Sequence, residues 1–371
     1  MVKQGHFIAD LSRKLSLEIL KDIAENVQVE SLGCVRHARY GAVEFGVGDR
    51  IQQLPEALQQ RYLQLQLRNF LHDIYFTGIF TGIQTDSGDS GSEKSSLLHG
   101  FPSPDLEDDF VKNNHAWGLN LDFYGALHES NRGQGFFDPG WQIVAEEADG
   151  LVAVQQQALT LHIVRDRHLL PGDQSATLGD TVAIKLPRNR LENGCYIAIG
   201  DAGLVTPQIP VSLFLHITAA GSAPILRRLS ESLNAAAIPF TCKLRYDPQD
   251  YPRRDAAVLR FDKCYFPVIR SVLEQIYEAE RGAFLEAIPG FTKAIAPGIA
   301  LAEDPQSPSM SFGEHRCQLI ANGLIIAAGQ SGESTPDIRM TAMLHQFAAQ
   351  GLDLETLYLN PGSEDCYGIF A

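Results

Sequence analysis

The sequence predicts an α+β protein of two lobes, a strand- and hairpin-rich half followed by a strand-helix-strand-strand-helix sandwich. Three observations carry that prediction. Apolar residues recur at helical spacing in two stretches of the first 75 residues. Short alternating strands broken by turn residues fill 144–205. From about 207, strands and amphipathic helices alternate instead. The chain has 371 residues, 44% of them hydrophobic and 20% charged, an ordinary globular composition. Its length suits two compact units, or one large domain with a second lobe. The division expected is a helical N-terminal region over 1–110, a strand and hairpin lobe over 111–205, and an α+β lobe over 206–371.

Taken in order, Phe7, Leu11, Leu15, Leu17, Ile19, Leu20 and Ile23 space a helix over 7–30, and Leu58, Tyr62, Leu65, Leu67, Phe70 and Leu71 space another from about Pro55 to Ile74. Residues 84–107, rich in Ser, Gly and Asp, read as a flexible loop. After a short helical stretch from Leu119, Asn131 to Trp141 is dense in turn residues. Short strands follow to His168, split at Asp149-Gly150. Thr181 to Lys185 is a strand, and Asn193-Gly194 is a strong hairpin turn whose returning strand begins at Cys195. Val211 to Ile217 is a strand and Ala223 to Ala237 a helix. Strands at 238–242 and 256–261 precede a helix from about Tyr265 to Ala283. Ala287 to Pro308 reads as a Pro-rich connection. Ser311 with Glu314 has capping-box spacing, Asn322-Gly323 is expected to end that helix, and a last helix covers Pro336 to Gln350.

A net charge of −15 and a pI near 5.1 argue against general nucleic-acid or anionic-membrane binding, both of which need excess positive charge. The N-terminal residues lack the apolar core of a signal peptide, and no run approaches the ~20 apolar residues of a spanning helix. The six cysteines are scattered without a C-x-x-C pair, which suits buried free thiols in a reducing cytoplasm, not a zinc site or disulfide frame. H-E-x-x-H, G-x-S-x-G and G-x-G-x-x-G are all missing, so no metal or cofactor is expected.

Against that acidic background Lys243, Arg245, Arg253 and Arg254 fall within thirteen residues, between two strands and around Asp-Pro and Tyr-Pro turns. Cations at paired strand ends can grip a phosphate or carboxylate; a solvated basic loop is the alternative. His315 and Arg316 fall early in a helix, where free N–H groups favour an anion and a histidine suits proton transfer. An ordinary surface pair is the alternative there. Lys185, Arg188 and Arg190 lie at a strand end and the turn after it, a place often basic for solubility alone.

Four stretches together resemble the HopA-type effector family. They are residues 127–141 (LHESNRGQGFFDPGW), 177–203, 240–261, and 291–320, which closes on SFGEHRCQLI. The likeness covers roughly 115–365 and rests on motif order. Members in peptide-modifying pathways of class V lanthipeptide and thioamitide type are understood as phosphoserine/phosphothreonine lyases that act with a kinase of aminoglycoside-phosphotransferase type. The resemblance therefore implies β-elimination of phosphate from a phosphorylated precursor peptide, leaving dehydroalanine or dehydrobutyrine. A catalytically silent interaction module, binding a kinase, a precursor peptide or a host protein, is the alternative.

In the lyase reading Lys243 is the expected base, partly buried among arginines so that some of it is free amine, with Lys185 second choice. Arg254, Arg316 and Arg188, with Arg245 and Lys185, are the expected phosphate ligands, and His315 the acid for the leaving phosphate. One departure is Ser212 to His216, a strand without the arginine the family pattern leads one to expect. Convergence of Lys243, His315, Arg254 and Arg316 in one cleft separates the two readings.

Overall fold

A computed structural model gives the fold and describes residues 2–45, 49–80, 115–116, 119–147, 150–192, 194–204, 207–306, 310–329 and 334–370. The loop expected at 84–107 lies outside the described residues. Helices are α1 (Val2–Asn26), α2 (Asp49–Gln52), α3 (Glu56–Leu71), α4 (Leu121–Ser130), α5 (Arg165–His168), α6 (Ala219–Ala235), α7 (Phe266–Ala279), α8 (Phe312–Ala328) and α9 (Pro336–Ala349). Strands β1 (Val27–Ser31), β2 (Cys34–His37) and β3 (Gly41–Glu44) form a small meander, and β4 (His115–Ala116) pairs with β5 (Leu119–Asn120). The helix expected over 7–30 therefore stops at Asn26: Val-Gln-Val alternates, and Val27 pairs with His37 as a strand.

A four-stranded antiparallel sheet runs in the order β8 (Leu159–Val164), β7 (Leu151–Gln156), β6 (Phe136–Glu146), β9 (Thr181–Leu186). The turn-dense reading of Asn131 to Trp141 is corrected here, because β6 begins at Phe136 and absorbs Pro139-Gly140 in a bulge between Asp138 and Trp141. Trp141, Ile143, Val152, Val154, Val182 and Ile184 give this sheet its own small core.

The main sheet has seven antiparallel strands in the order β10 (Asn189–Glu192), β11 (Cys195–Ile199), β13 (Thr241–Arg245), β14 (Ala257–Asp262), β12 (Pro210–Leu215), β16 (Ile299–Glu303), β15 (Lys293–Ala296). Glu192 stands opposite Cys195, leaving the two-residue loop expected of a tight hairpin, with Gly194 at φ 75°. The hairpin β15–β16 corrects the Pro-rich connection expected over Ala287 to Pro308. Gly298, at φ 72°, turns the chain there, and β16 is an interior strand, every residue of it buried.

Two domain boundaries move as a result. β10 and β11 complete the seven-stranded sheet, so a division at 205 cuts through it. One apolar core runs from Leu20, through Phe76, Leu213 and Phe312, to Tyr367, so the N-terminal helices belong to it and are not a separate region. Asn322-Gly323 does not end α8. Gly323 lies inside it, where a Cβ would come within 2.6 Å of the Met343 Cα, so glycine is what lets α8 and α9 approach.

Candidate functional site

Strand alternation and register place the site. Ile197, Lys243, Val258 and Phe214 stand in one cross-strand row, Cys195 and Arg245 in the row beside it, and Thr241, Arg260 and Ser212 in the row on the other side. Arg190 and Glu192 of β10, opposite Ile197 and Cys195, extend the first two rows to the sheet edge. Directly opposed residues share a face, so Arg190, Lys243, Arg245 and Arg260 lie on one face of four neighbouring strands. Tyr196, Ala198, Cys242, Leu244, Leu259 and Phe261 point the other way and are buried. Farther along the cationic face, Phe214 meets Phe76 and Phe312, so α8 and the end of the α3 segment close it there.

The charges on this face are held by two carboxylates. Glu192 accepts from Arg190 at 3.0 Å and from Lys243 at 3.3 Å, all three being more than two-fifths exposed. Asp304, nearly buried, accepts from Arg260 at 2.8 Å and from the Ser212 hydroxyl at 2.8 Å. Burial raises the Asp304 carboxyl, against the pull of Arg260 and Ser212. Ser212 and Arg260 are register partners, so the cation that strand β12 lacks stands directly across from it on β14. Burial also raises the Cys195 thiol, against Arg245 and Lys243.

The loop after β13 steadies Arg245. Gly194 N–H donates to the Tyr246 hydroxyl at 3.1 Å, and the buried Tyr251 donates its hydroxyl to the Arg245 carbonyl at 2.8 Å. Arg253 forks onto Asp255 at 2.9 and 3.1 Å; burial works against the Asp255 carboxylate, but Arg253, with Arg245 and His72, holds it below the ordinary range. The second sheet meets the first beside these charges, where Phe136 and Leu186 cover Cys195, Ile197 and Ile199.

The residues expected from sequence divide sharply. Lys243 and Arg245 share this face, but Lys243 is 45% exposed and ion-paired, so the partial burial expected of it is not found. Lys185 stands opposite Phe137 on the side of β9 away from Leu186, the residue that packs on the main sheet, and is removed from the site by strand alternation. Arg188 spends its guanidinium on the carbonyls of Gly133 (3.3 Å) and His128 (3.0 Å). Arg254 donates its N–H to the Thr77 carbonyl and packs its guanidinium on Gly78, where burial lowers its pKa; these contacts are not with the Lys243 group.

Arg316 corrects the expectation most. It is fully buried, donates to the carbonyls of Leu357 (2.9 Å) and Leu359 (3.1 Å), and lies over the Phe312 ring. His315 Nδ1 sits 2.7 Å from the Arg316 guanidinium. Burial first, then Arg316, pushes the imidazole down to about 4, which leaves it neutral near pH 7 and unable to serve as the acid. The anion expected at this helix start is already present, because Glu314 closes a capping box with Ser311. Among the described residues, then, His315 and Arg316 touch each other, while the contacts given for Lys243 and Arg254 are with other groups. Sequence reasoning missed Arg260, although the alternation Ala-Val-Leu-Arg-Phe-Asp and its pairing with the Thr241 strand carried the signal.

Residues 186–359, the part of the chain that holds this face, match the model of the HopA1 effector protein family. Two solved structures are similar. One is the effector protein from Pseudomonas syringae pv. tomato strain DC3000, with TM-score 0.41 and 15% identity over 65% of this chain and 81% of that one. The other is the effector protein from Pseudomonas syringae pv. syringae strain 61, with TM-score 0.39 and 12% identity over the same shares. No curated protein matches the chain.

Proposed function

We propose that this chain, whose residues 186–359 match the HopA1 effector protein family model, is a lyase that removes phosphate from phosphoserine or phosphothreonine in a peptide or protein, leaving dehydroalanine or dehydrobutyrine. One observation carries the reading: Arg190, Lys243, Arg245 and Arg260 gather on one face of the main sheet, at the margin of its apolar cover, in a protein with net charge −15. A phosphate dianion suits arginines that can fork onto it, and a neighbouring lysine supplies a base.

In this mechanism Arg245 and Arg260, in the cross-strand rows either side of Lys243's row, hold the phosphate. Glu192 holds both Arg190 and Lys243; a bound peptide that covers Lys243 leaves that carboxylate to Arg190 and sets the amine against the Cα proton. Neutral Lys243 takes the Cα proton. The electron pair left on Cα forms the Cα=Cβ bond as the Cβ–O bond breaks; the phosphate leaves onto the two arginines and takes a proton from the Lys243 ammonium, which restores the amine. No acid is required of His315. The expected substrate is a phosphorylated precursor peptide, delivered by an aminoglycoside-phosphotransferase-like kinase.

The burial of Arg316 on main-chain carbonyls and the exposure of Lys243 favour a second reading: a non-catalytic module that binds a kinase, a precursor peptide or a host protein through the same face. Incubation with a synthetic phosphothreonine peptide separates the two by mass. Elimination removes one phosphoric acid, a phosphatase restores the hydroxyl, and unchanged peptide despite binding supports the module.

A further inference from the structure

We infer that the outer edge of β10 binds the segment flanking the phosphorylated residue as an added β-strand. This rests on the phosphopeptide reading of the cationic face. Antiparallel partners alternate between pairs that exchange hydrogen bonds and pairs that do not. The Arg188 carbonyl accepts from Ile199 N–H at 2.9 Å, so 188 and 199 are a bonded pair. By register Arg190–Ile197 and Glu192–Cys195 are of the same kind. Asn189 and Leu191, opposite Ala198 and Tyr196, are of the other kind, and their N–H and C=O groups point outward. Tyr196 and Ala198 themselves bond β13, in phase with the Gly200–Phe240 and Tyr246–Gly194 bonds. Among the described residues no strand pairs with that outer edge.

An open edge with free main-chain donors and acceptors is a template for strand addition. Leu191, 51% exposed, offers an apolar side chain on one face of it, and Arg190, 54% exposed, a cation on the other. A second copy of the chain is a poor occupant, because it would bring together two molecules each of net charge −15. A peptide carrying phosphate brings the sign complementary to Arg190.

Spacing says which part of the peptide docks. Strands lie ~4.8 Å apart, so an added strand is three spacings, ~14 Å, from β13 and Lys243, too far for proton abstraction from the docked residues. At ~3.3 Å per residue the peptide needs about four residues to cross from the edge to the face. The docked segment therefore starts about four residues from the phosphorylated one.

The test is a fluorescent phosphothreonine peptide of about twelve residues with single backbone N-methylations, read by anisotropy and by mass. Methylation at every second residue of one flank, beginning about four residues from the phosphothreonine, should weaken binding and raise KM about tenfold, as loss of one main-chain hydrogen bond does, with kcat unchanged. The intervening residues should tolerate it. Leu191→Pro, which deletes the outward N–H that would meet a peptide carbonyl and leaves the β10–β11 ladder, should cost the parent peptide a similar factor. A capped single phosphothreonine should react equally with both proteins. Uniform tolerance, sensitivity without alternation, or a Leu191→Pro loss that the capped phosphothreonine shares overturns the edge. Binding that alternates without any dehydration keeps the edge and removes the lyase.

Discussion

Arg316→Met should damage the fold and not the phosphate site. The side chain is fully buried, and its Nε and guanidinium N–H groups satisfy the carbonyls of Leu357 and Leu359 at 2.9 and 3.1 Å. Methionine fills comparable space without donors, so both carbonyls are left buried and unpaired, at about 1–3 kcal/mol each. Relief from burying a guanidinium, whose pKa burial pushes down to about 10, returns part of that. The net loss is about 2–4 kcal/mol. Unfolding entropy of ~2.1 cal/mol/K per residue over 371 residues gives ~0.8 kcal/mol/K, so Tm should fall by ~3–5 °C. Differential scanning calorimetry reads this, beside phosphopeptide binding by titration calorimetry at a temperature where the variant is folded. An unchanged Tm with binding lost would refute the structural role and restore Arg316 as a phosphate ligand.

Arg260→Gln should keep a hydrogen bond to Asp304 while deleting the cation, and weaken phosphopeptide binding about ten- to a hundredfold, since a charge-assisted contact contributes ~1.5–3 kcal/mol; binding equal to the parent would take β14 out of the site. His315 is held neutral in the fold, with its pKa pushed from 6.5 down to about 4. Unfolded chain therefore binds the extra proton between those values, and the stability this group gives is full above pH 6.5 and lost as pH falls toward 4. His315→Gln should flatten that fall in Tm across pH 6.5 to 4; an unaltered slope would mean the acid sensitivity comes from other groups. Gly323→Ala should lower Tm, because its methyl meets the Met343 main chain at 2.6 Å; a stabilised variant, the usual result of Gly→Ala in a helix, would show that α8 and α9 do not approach so closely.

Local signals were legible where one short pattern decides the structure. The Ser311–Glu314 capping box and the two-residue turn after Glu192 appear where their spacing puts them. The same grammar misled where tertiary contact overrides it. Pro139-Gly140 sits in a strand bulge, and Asn322-Gly323 in a helix interior that needs a missing side chain. Lys293-Ala-Ile-Ala-Pro-Gly-Ile-Ala-Leu-Ala-Glu303 is a buried hairpin hidden by its one proline and its alanines. For the site, composition found the basic strand but not its partners. Nothing local distinguishes Lys185 from its neighbour Leu186, yet alternation turns one toward the main sheet and the other away. Arg316 looked like a ligand because it follows a helix start; only the segment folded back at Leu357–Leu359 shows what it holds.

The most direct measurement compares the parent protein and Lys243→Met on one synthetic phosphothreonine peptide, by mass and by binding. Lys243 is exposed and, among the described residues, ion-paired with Glu192 at 3.3 Å, so the variant should fold as the parent does. It should also still bind through Arg245 and Arg260. The parent should yield peptide lighter by one phosphoric acid, and the variant ~10²–10⁴-fold less of it, the usual loss on removing a general base. Equal dehydration by both proteins would contradict Lys243 as the base, and a parent that binds the peptide but leaves its mass unchanged would contradict the lyase itself.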